Sequence, residues 1–99
     1  MTKAEIITEI AEKTGIEKVA VQASVEAFMR SVRDSMERGK NVYLRGFGSF
    51  IIKQRAEKTA RNILKKTVVI IPAHYVPTFK PAKTFSERIK KGAKKEKIN

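Results

Sequence analysis

The sequence predicts an α+β fold: an N-terminal helical hairpin, an antiparallel sheet drawn out into a long β-ribbon arm, and a short C-terminal helix. Three observations predict it. Apolar residues recur at steps of three and four as far as residue 38. The pattern then changes to short β-prone runs divided by glycine and polar turns. The charge is also lopsided. Residues 1–49 hold 8 Lys+Arg and 7 Asp+Glu, whereas residues 50–99 hold 14 and 3, within a formal net charge of +12. Charge present only for solubility would not sort itself this way, and a chain so basic attracts polyanions.

Thr2-Lys3-Ala4-Glu5 reads as a capping box, in which the threonine hydroxyl and glutamate carboxylate satisfy orphan backbone N–H groups. Ile6, Ile7, Ile10 and Ala11 follow at helical spacing, and Gly15 supplies a left-handed stop. A second helix is expected from about Lys18 to Arg38. Val21, Val25, Phe28, Met29, Val32 and Met36 form its apolar stripe, and Gly39 ends it. Its N-cap is weak, because Glu17 is not a preferred capping residue. Asn41 to Arg45 reads as a strand, Gly46-Phe47-Gly48 as a turn, and Ser49 to Lys53 as a second strand that continues as a polar, basic extension to residue 62. Val68-Val69-Ile70-Ile71 is strongly β-forming, and Pro72 requires an edge or a bulge. Val76 to Phe79 is a last short strand. Pro81 introduces a helix carrying Phe85 and Ile89, which Gly92 is expected to end. Residues 92–99 then read as a disordered basic tail.

The segment from Lys53 to Tyr75 forms the expected arm, two β-prone runs around Leu64-Lys65-Lys66-Thr67. It carries Lys53, Arg55, Lys58, Arg61, Lys65 and Lys66 against a single acid, Glu57. A two-stranded ribbon is marginal in water alone, but it can enter a DNA groove while its cations meet phosphates. The plainer reading is a solvated hairpin whose lysines block edge aggregation. That reading leaves Arg55, Arg61 and the apolar tip pair Ile63-Leu64 without a reason. A 99-residue chain that spends some 20 residues on such an arm has little left for a core, so a partner chain is expected.

These residues carry a resemblance. Over about residues 1–91 the chain resembles the HU/IHF family of bacterial histone-like proteins. The likeness rests on Gly46-Phe47-Gly48-Ser49-Phe50, Arg55, Arg61-Asn62 at the arm tip, Val76-Pro77-Thr78-Phe79 on the return, and the order and length of the two N-terminal helices. The resemblance implies a single domain over 1–91 and an intertwined dimer. Each chain would send one arm (about 53–75) around duplex DNA to bend or compact it through the minor groove. It implies packing roles in the dimer body for Phe47, Phe50 and Phe79. The expected DNA-binding set is Lys53, Arg55, Lys58, Arg61, Asn62, Lys65 and Lys66 on the arm, His74 at its base as a phosphate contact or a structural residue, and Lys3, Lys80 and Lys83 on the body. Ile63 stands where the family carries a wedge proline. Leu64 to Thr67 replace the family's Gly-containing tip, and Lys58 stands where Arg, Ser or Thr is usual. The implied partners are double-stranded DNA and a second copy of the chain, with a heterodimer with a paralogue left open. The implied location is the cytoplasmic nucleoid, and sequence-specific and non-specific binding both occur on this fold.

Enzyme chemistry finds little to build on, and no cofactor or metal is expected. There is no cysteine and one histidine, and Asp34 is the only aspartate, so nucleophile triads and metal clusters lack members. Acids interrupt the N-terminal segment where a secretory signal needs a continuous apolar run, and no stretch reaches the length of a membrane span. An intracellular protein is therefore expected. Two rival functions are weaker. Binding to an anionic membrane needs exposed large apolar residues beside the basic ones, and the tail offers Ile98 alone. RNA binding usually shows aromatics for base stacking, and the arm offers only Tyr75, near its base.

Overall fold

The two helices form as the pattern requires. The computed structural model describes residues 1–62, 64 and 66–96, with the backbone alone at 62 and 94–96. Helix α1 (Lys3–Thr14) is capped by Thr2, whose hydroxyl accepts from the Glu5 N–H at 3.2 Å, and closed by Gly15 at φ 74°. Helix α2 (Lys18–Glu37) has no side-chain cap at Glu17, and Gly39 turns the chain away at φ 79°. Ile7 of α1 and Val21 of α2 are 3% and 4% exposed, the only buried apolar side chains among the described residues.

Strands β1 (Val42–Leu44), β2 (Gly48–Arg55), β3 (Lys58–Asn62), β4 (Thr67–Ile71) and β5 (His74–Pro81) follow. They make two sheets. One has the order β1-β2-β5, and the other is the β3-β4 ribbon. Between β1 and β2 the Phe47 N–H donates to the Leu44 carbonyl at 2.9 Å, which places Gly46 at φ 82° in the turn position that favours glycine. Asn41 lies just outside β1, but its Oδ1 accepts from the Ile52 N–H at 2.9 Å and ties the two strands together.

Two sequence expectations need correction. The second strand does not run unbroken to residue 62. The body ladder ends at Arg55↔His74 and the arm ladder starts at Lys58↔Ile71, so residues 56–57 and 72–73 pair with nothing in either ladder. Pro72 falls in this gap because it has no N–H to offer a ladder. The last helix, α3 (Lys83–Glu96), does not stop at Gly92. A glycine ends a helix when the chain turns left-handed there, and Gly92 is not among the glycines of positive φ. Inside a helix it costs about 1 kcal/mol relative to alanine, which the strong helix formers Ala93, Lys94, Lys95 and Glu96 tolerate. The tail expected to be disordered from residue 92 is thus helical to Glu96. The rest of it, 97–99, lies outside the described residues.

Phe79 centres an aromatic cluster that joins the sheet to α3. Its ring lies 5.0 Å from Phe50, 5.4 Å from Phe47 and 6.1 Å from Phe85, and Phe47 lies 5.0 Å from Phe85. Such tilted pairs add about 0.5–1.5 kcal/mol each beyond their buried area. The packing is incomplete in one chain, since Phe47 remains 47% exposed. Beside the cluster, α2 and β2 flank an open apolar hollow of ≈ 580 Å³ lined by Phe28, Met29, Val32, Met36, Phe50 and Ile52. The chain exposes 8928 Å², against about 5,700 Å² for a compact monomer of its mass. Its radius of gyration of 18.8 Å exceeds the about 12.6 Å of a compact chain of this length.

Candidate nucleic-acid interface

The arm is a ribbon of five residue pairs, about 17 Å long at strand spacing. Residues directly opposite share a face. Arg61 with Val68 and Thr59 with Ile70 lie on one face, and Lys58 with Ile71 and Ala60 with Val69 on the other. The outgoing strand is therefore basic, and the returning strand is aliphatic on both faces. Val68 and Ile70 are 61% and 62% exposed. Aliphatic side chains this open on a thin ribbon have no interior of their own to enter.

The structure places most of the expected site residues along the arm and its base, on both faces of the ribbon. Lys53 and Arg55 end β2 opposite Val76 and His74, Lys58 and Arg61 follow on β3, and all four are exposed. Asn62 pairs through its backbone with Thr67. Lys66 sits in the tip turn at φ 52°, a left-handed position that a family-type glycine would occupy without strain. Ile63 and Lys65, the expected wedge and a tip cation, lie outside the described residues. His74 sits at the arm base with Nδ1 2.9 Å from the Pro72 carbonyl oxygen. A carbonyl only accepts, so Nδ1 is the donor in this contact. The contact folds His74 back onto its own chain, two residues before it.

The body residues are separate from this tract. Lys80 lies on β5 opposite Ser49, and Lys83 opens α3. Lys3 opens α1, and its Nζ sits 3.3 Å from Glu26 Oε1 of α2. Sequence reasoning missed this ion pair, because 23 residues separate its members. Arg88, Lys90 and Lys91 also stand exposed on α3. The row Phe85, Ile89, Ala93, continuing across Gly92 at steps of four, is the signal that the helix runs on. Among the described residues no three His, Cys, Asp or Glu are grouped to hold a metal ion, and no helix is long and apolar enough to cross a membrane.

The Gln22 amide and then the Lys3 ammonium donate to Glu26 and hold its carboxyl below the usual carboxylate range. A carboxyl depressed in the folded state contributes stability above its unfolded pKa and loses it as pH falls through the folded value. Glu26→Gln should therefore flatten the acid limb of the stability curve in that window, slightly lowering stability at neutral pH and leaving it unchanged below the folded value. Thermal unfolding of both proteins across the acid range measures this. Equal acid limbs would show that the contact is immaterial.

A basic ribbon paired separately from a three-helix, three-strand body defines a class, that of small proteins that grip a polyanion with an arm. The model for the family of bacterial DNA-binding proteins matches residues 1–90. The chain is 41% identical over 91 residues to the DNA-binding protein HU of Clostridium pasteurianum, covering 92% of this chain and all of that one. It is 35% identical over 97 residues to the integration host factor subunit alpha of Pseudoalteromonas translucida, covering 98% of each. Among solved structures, the Anabaena HU–DNA cocrystal superposes with a TM-score of 0.85 at 32% identity, covering 90% of this chain and 97% of that one. The chain belongs to the bacterial DNA-binding protein family, a family of DNA-binding proteins and not of enzymes.

Proposed function

We propose that this protein is an architectural DNA-binding protein of the nucleoid in the cytoplasm. It acts as a dimer of the 1–91 domain that clasps duplex DNA between two arms, enters the minor groove, and bends or compacts the duplex with little sequence preference. The arm carries this reading. Its basic strand matches phosphates, and its aliphatic strand matches the apolar sugar edges that line a groove. Arg55, Lys58, Arg61, Lys65 and Lys66 supply the arm contacts with Lys53 and Asn62, and Lys3, Lys80 and Lys83 hold flanking DNA. His74, at the arm base, is a phosphate contact or a structural residue. The likeness to the HU–DNA cocrystal over 90% of the chain supports the assignment.

The test is a titration on unrelated duplexes at several salt concentrations. Affinity should fall steeply with salt and vary little with sequence, and each phosphate contact removed should lower the log–log slope by about 0.9. Affinity indifferent to salt would refute backbone contact. A strong preference for one sequence would favour a site-specific bender of the same fold.

Ile63 serves in this reading as the wedge that parts a base step, a role isoleucine fills in other minor-groove proteins. Unstacking costs a few kcal/mol, and the bend offsets it by bringing flanking DNA onto the body. Ile63→Ala should reduce bending more than binding, and Ile63→Pro should keep the bend. End-to-end fluorescence transfer on a labelled duplex at saturating protein reads both. Undiminished bending by Ile63→Ala would move the wedge to Leu64.

A further inference from the structure

The two faces of the arm differ in what they offer a groove. On one, Arg61 stands opposite Val68 and Thr59 opposite Ile70; on the other, Lys58 stands opposite Ile71 and Ala60 opposite Val69. The first is the more open, since Val68 and Ile70 are 61% and 62% exposed against 47% and 37% for Val69 and Ile71. Its hydrogen-bonding chemistry is narrow. The Arg61 guanidinium only donates, the two aliphatic side chains neither donate nor accept, and the Thr59 hydroxyl is the one side-chain acceptor. Neither strand of the ribbon carries a carboxylate. Glu57, the single acid of residues 53–75, falls in the unpaired gap.

The floor of the minor groove is narrow in the complementary sense. A·T and T·A pairs present only acceptors there, adenine N3 and thymine O2, and a G·C pair adds a donor, the guanine N2 amino group. A face of donors and hydrocarbon satisfies an acceptor floor. Pressed onto guanine, the same face strips water from the amino group and returns no acceptor except at Thr59. The spacing agrees. A strand rises about 3.4 Å per residue, which is also about the rise per base pair along one DNA strand. Val68 and Ile70 would therefore meet the floor two base pairs apart.

We infer that the arm lays its Val68–Ile70 face on the minor-groove floor and discriminates there against the guanine amino group, so that its preferred substrate is duplex lacking that group, A·T-rich DNA in a natural sequence. Val68 and Ile70 are then specificity-determining residues, acting by what they fail to accept. The inference rests on the function proposed above and refines it. The preference is one of composition and not of motif, and unrelated duplexes of mixed sequence average it out. Because flexible TA steps also favour bending, the test must separate the amino group from the stiffness of the base pair.

The experiment titrates the full chain on four duplexes of one length at one salt concentration: A·T, G·C, inosine·cytosine, which is G·C without the amino group, and diaminopurine·thymine, which is A·T with it. A·T and inosine·cytosine should bind alike. G·C and diaminopurine·thymine should bind about fivefold more weakly, the factor for about 1 kcal/mol at an unsatisfied donor. The variant Val68→Thr/Ile70→Thr keeps β-branched side chains and adds hydroxyl acceptors, so it should bind all four duplexes within about twofold of one another. Val69→Thr/Ile71→Thr, on the other face, should keep the parent's order. Circular dichroism checks that each variant retains the parent's β signal, and the single substitutions Val68→Thr and Ile70→Thr replace a double variant that does not. Equal parent affinity for the four duplexes overturns the inference, as does inosine·cytosine binding like G·C. Retention of the parent's order by Val68→Thr/Ile70→Thr, or its loss in Val69→Thr/Ile71→Thr instead, overturns the assignment of the face. In each of these cases salt-dependent binding by the parent leaves the proposed function standing, whereas failure of the parent to bind any duplex would refute that function itself.

Discussion

Gly48→Ala is expected to destabilise the protein by about 3 kcal/mol, the upper end for an overpacked core site. A Cβ built on Gly48 would lie 2.6 Å from Phe79 Cζ and 2.7 Å from the Lys80 carbonyl oxygen. The ring could rotate, but the carbonyl belongs to the β2–β5 ladder, in which Gly48 pairs with Pro81 and Ser49 with Lys80. Relieving the clash therefore means prising apart the ladder that holds the arm base and α3. Urea unfolding at fixed protein concentration should show a lowered midpoint. The double variant Gly48→Ala/Phe79→Leu should recover only part of the loss, since the carbonyl clash persists. A cost below about 0.5 kcal/mol, the range of ordinary surface changes, would mean that the strands shift freely here.

The second large effect concerns the hollow beside α2. Phe28→Asp should convert a helical dimer into a largely unfolded chain at micromolar concentration. On a self-sufficient monomer, replacing a phenylalanine that is 48% exposed would be nearly neutral. Here Phe28 and Met29 line an apolar recess in a chain with only Ile7 and Val21 buried among its described apolar residues. Burial of an aspartate against a second copy costs several kcal/mol per ion, and symmetry applies that cost twice. Sedimentation equilibrium and circular dichroism on the same samples are the measurements. For the parent, the melting temperature should rise with concentration. A Phe28→Asp protein that kept its dimer mass and full helicity would refute this interface.

Much of this architecture was legible because the residues that specify it act locally. Thr2, Gly15 and Gly39 mark helix ends through their own capping or dihedral angles, and the steps from Val21 to Met36 mark a stripe. The arm's basic residues were legible as a cluster for the same reason. Long-range facts were not. The Lys3–Glu26 contact depends on how two helices lie together, and the gap beyond Arg55 depends on where Pro72 falls opposite the outgoing strand. Gly92 misled because glycine punctuates only when the chain turns left-handed, and a single sequence does not reveal its φ. The half-open state of Phe47 was hidden because its exposure depends on how the sheet and α3 lie together, which no local pattern records.

The two-residue gap on each strand at the arm base has a mechanical consequence. The right-handed twist of the body sheet propagates only through paired backbone, and between Arg55↔His74 and Lys58↔Ile71 no such pairing exists. The ribbon is a lever on a compliant joint. Rotation there breaks no ladder bond, and the contact from His74 to the Pro72 carbonyl offers one weak restoring spring. A lever so mounted delivers force without dictating a final angle. The load settles the angle, and the load here is the stiffness of the duplex, whose smooth bending through 40–90° costs on the order of 1–6 kcal/mol. Flexible or nicked DNA should fold further than intact DNA in the same grip, with no change in the body of the protein.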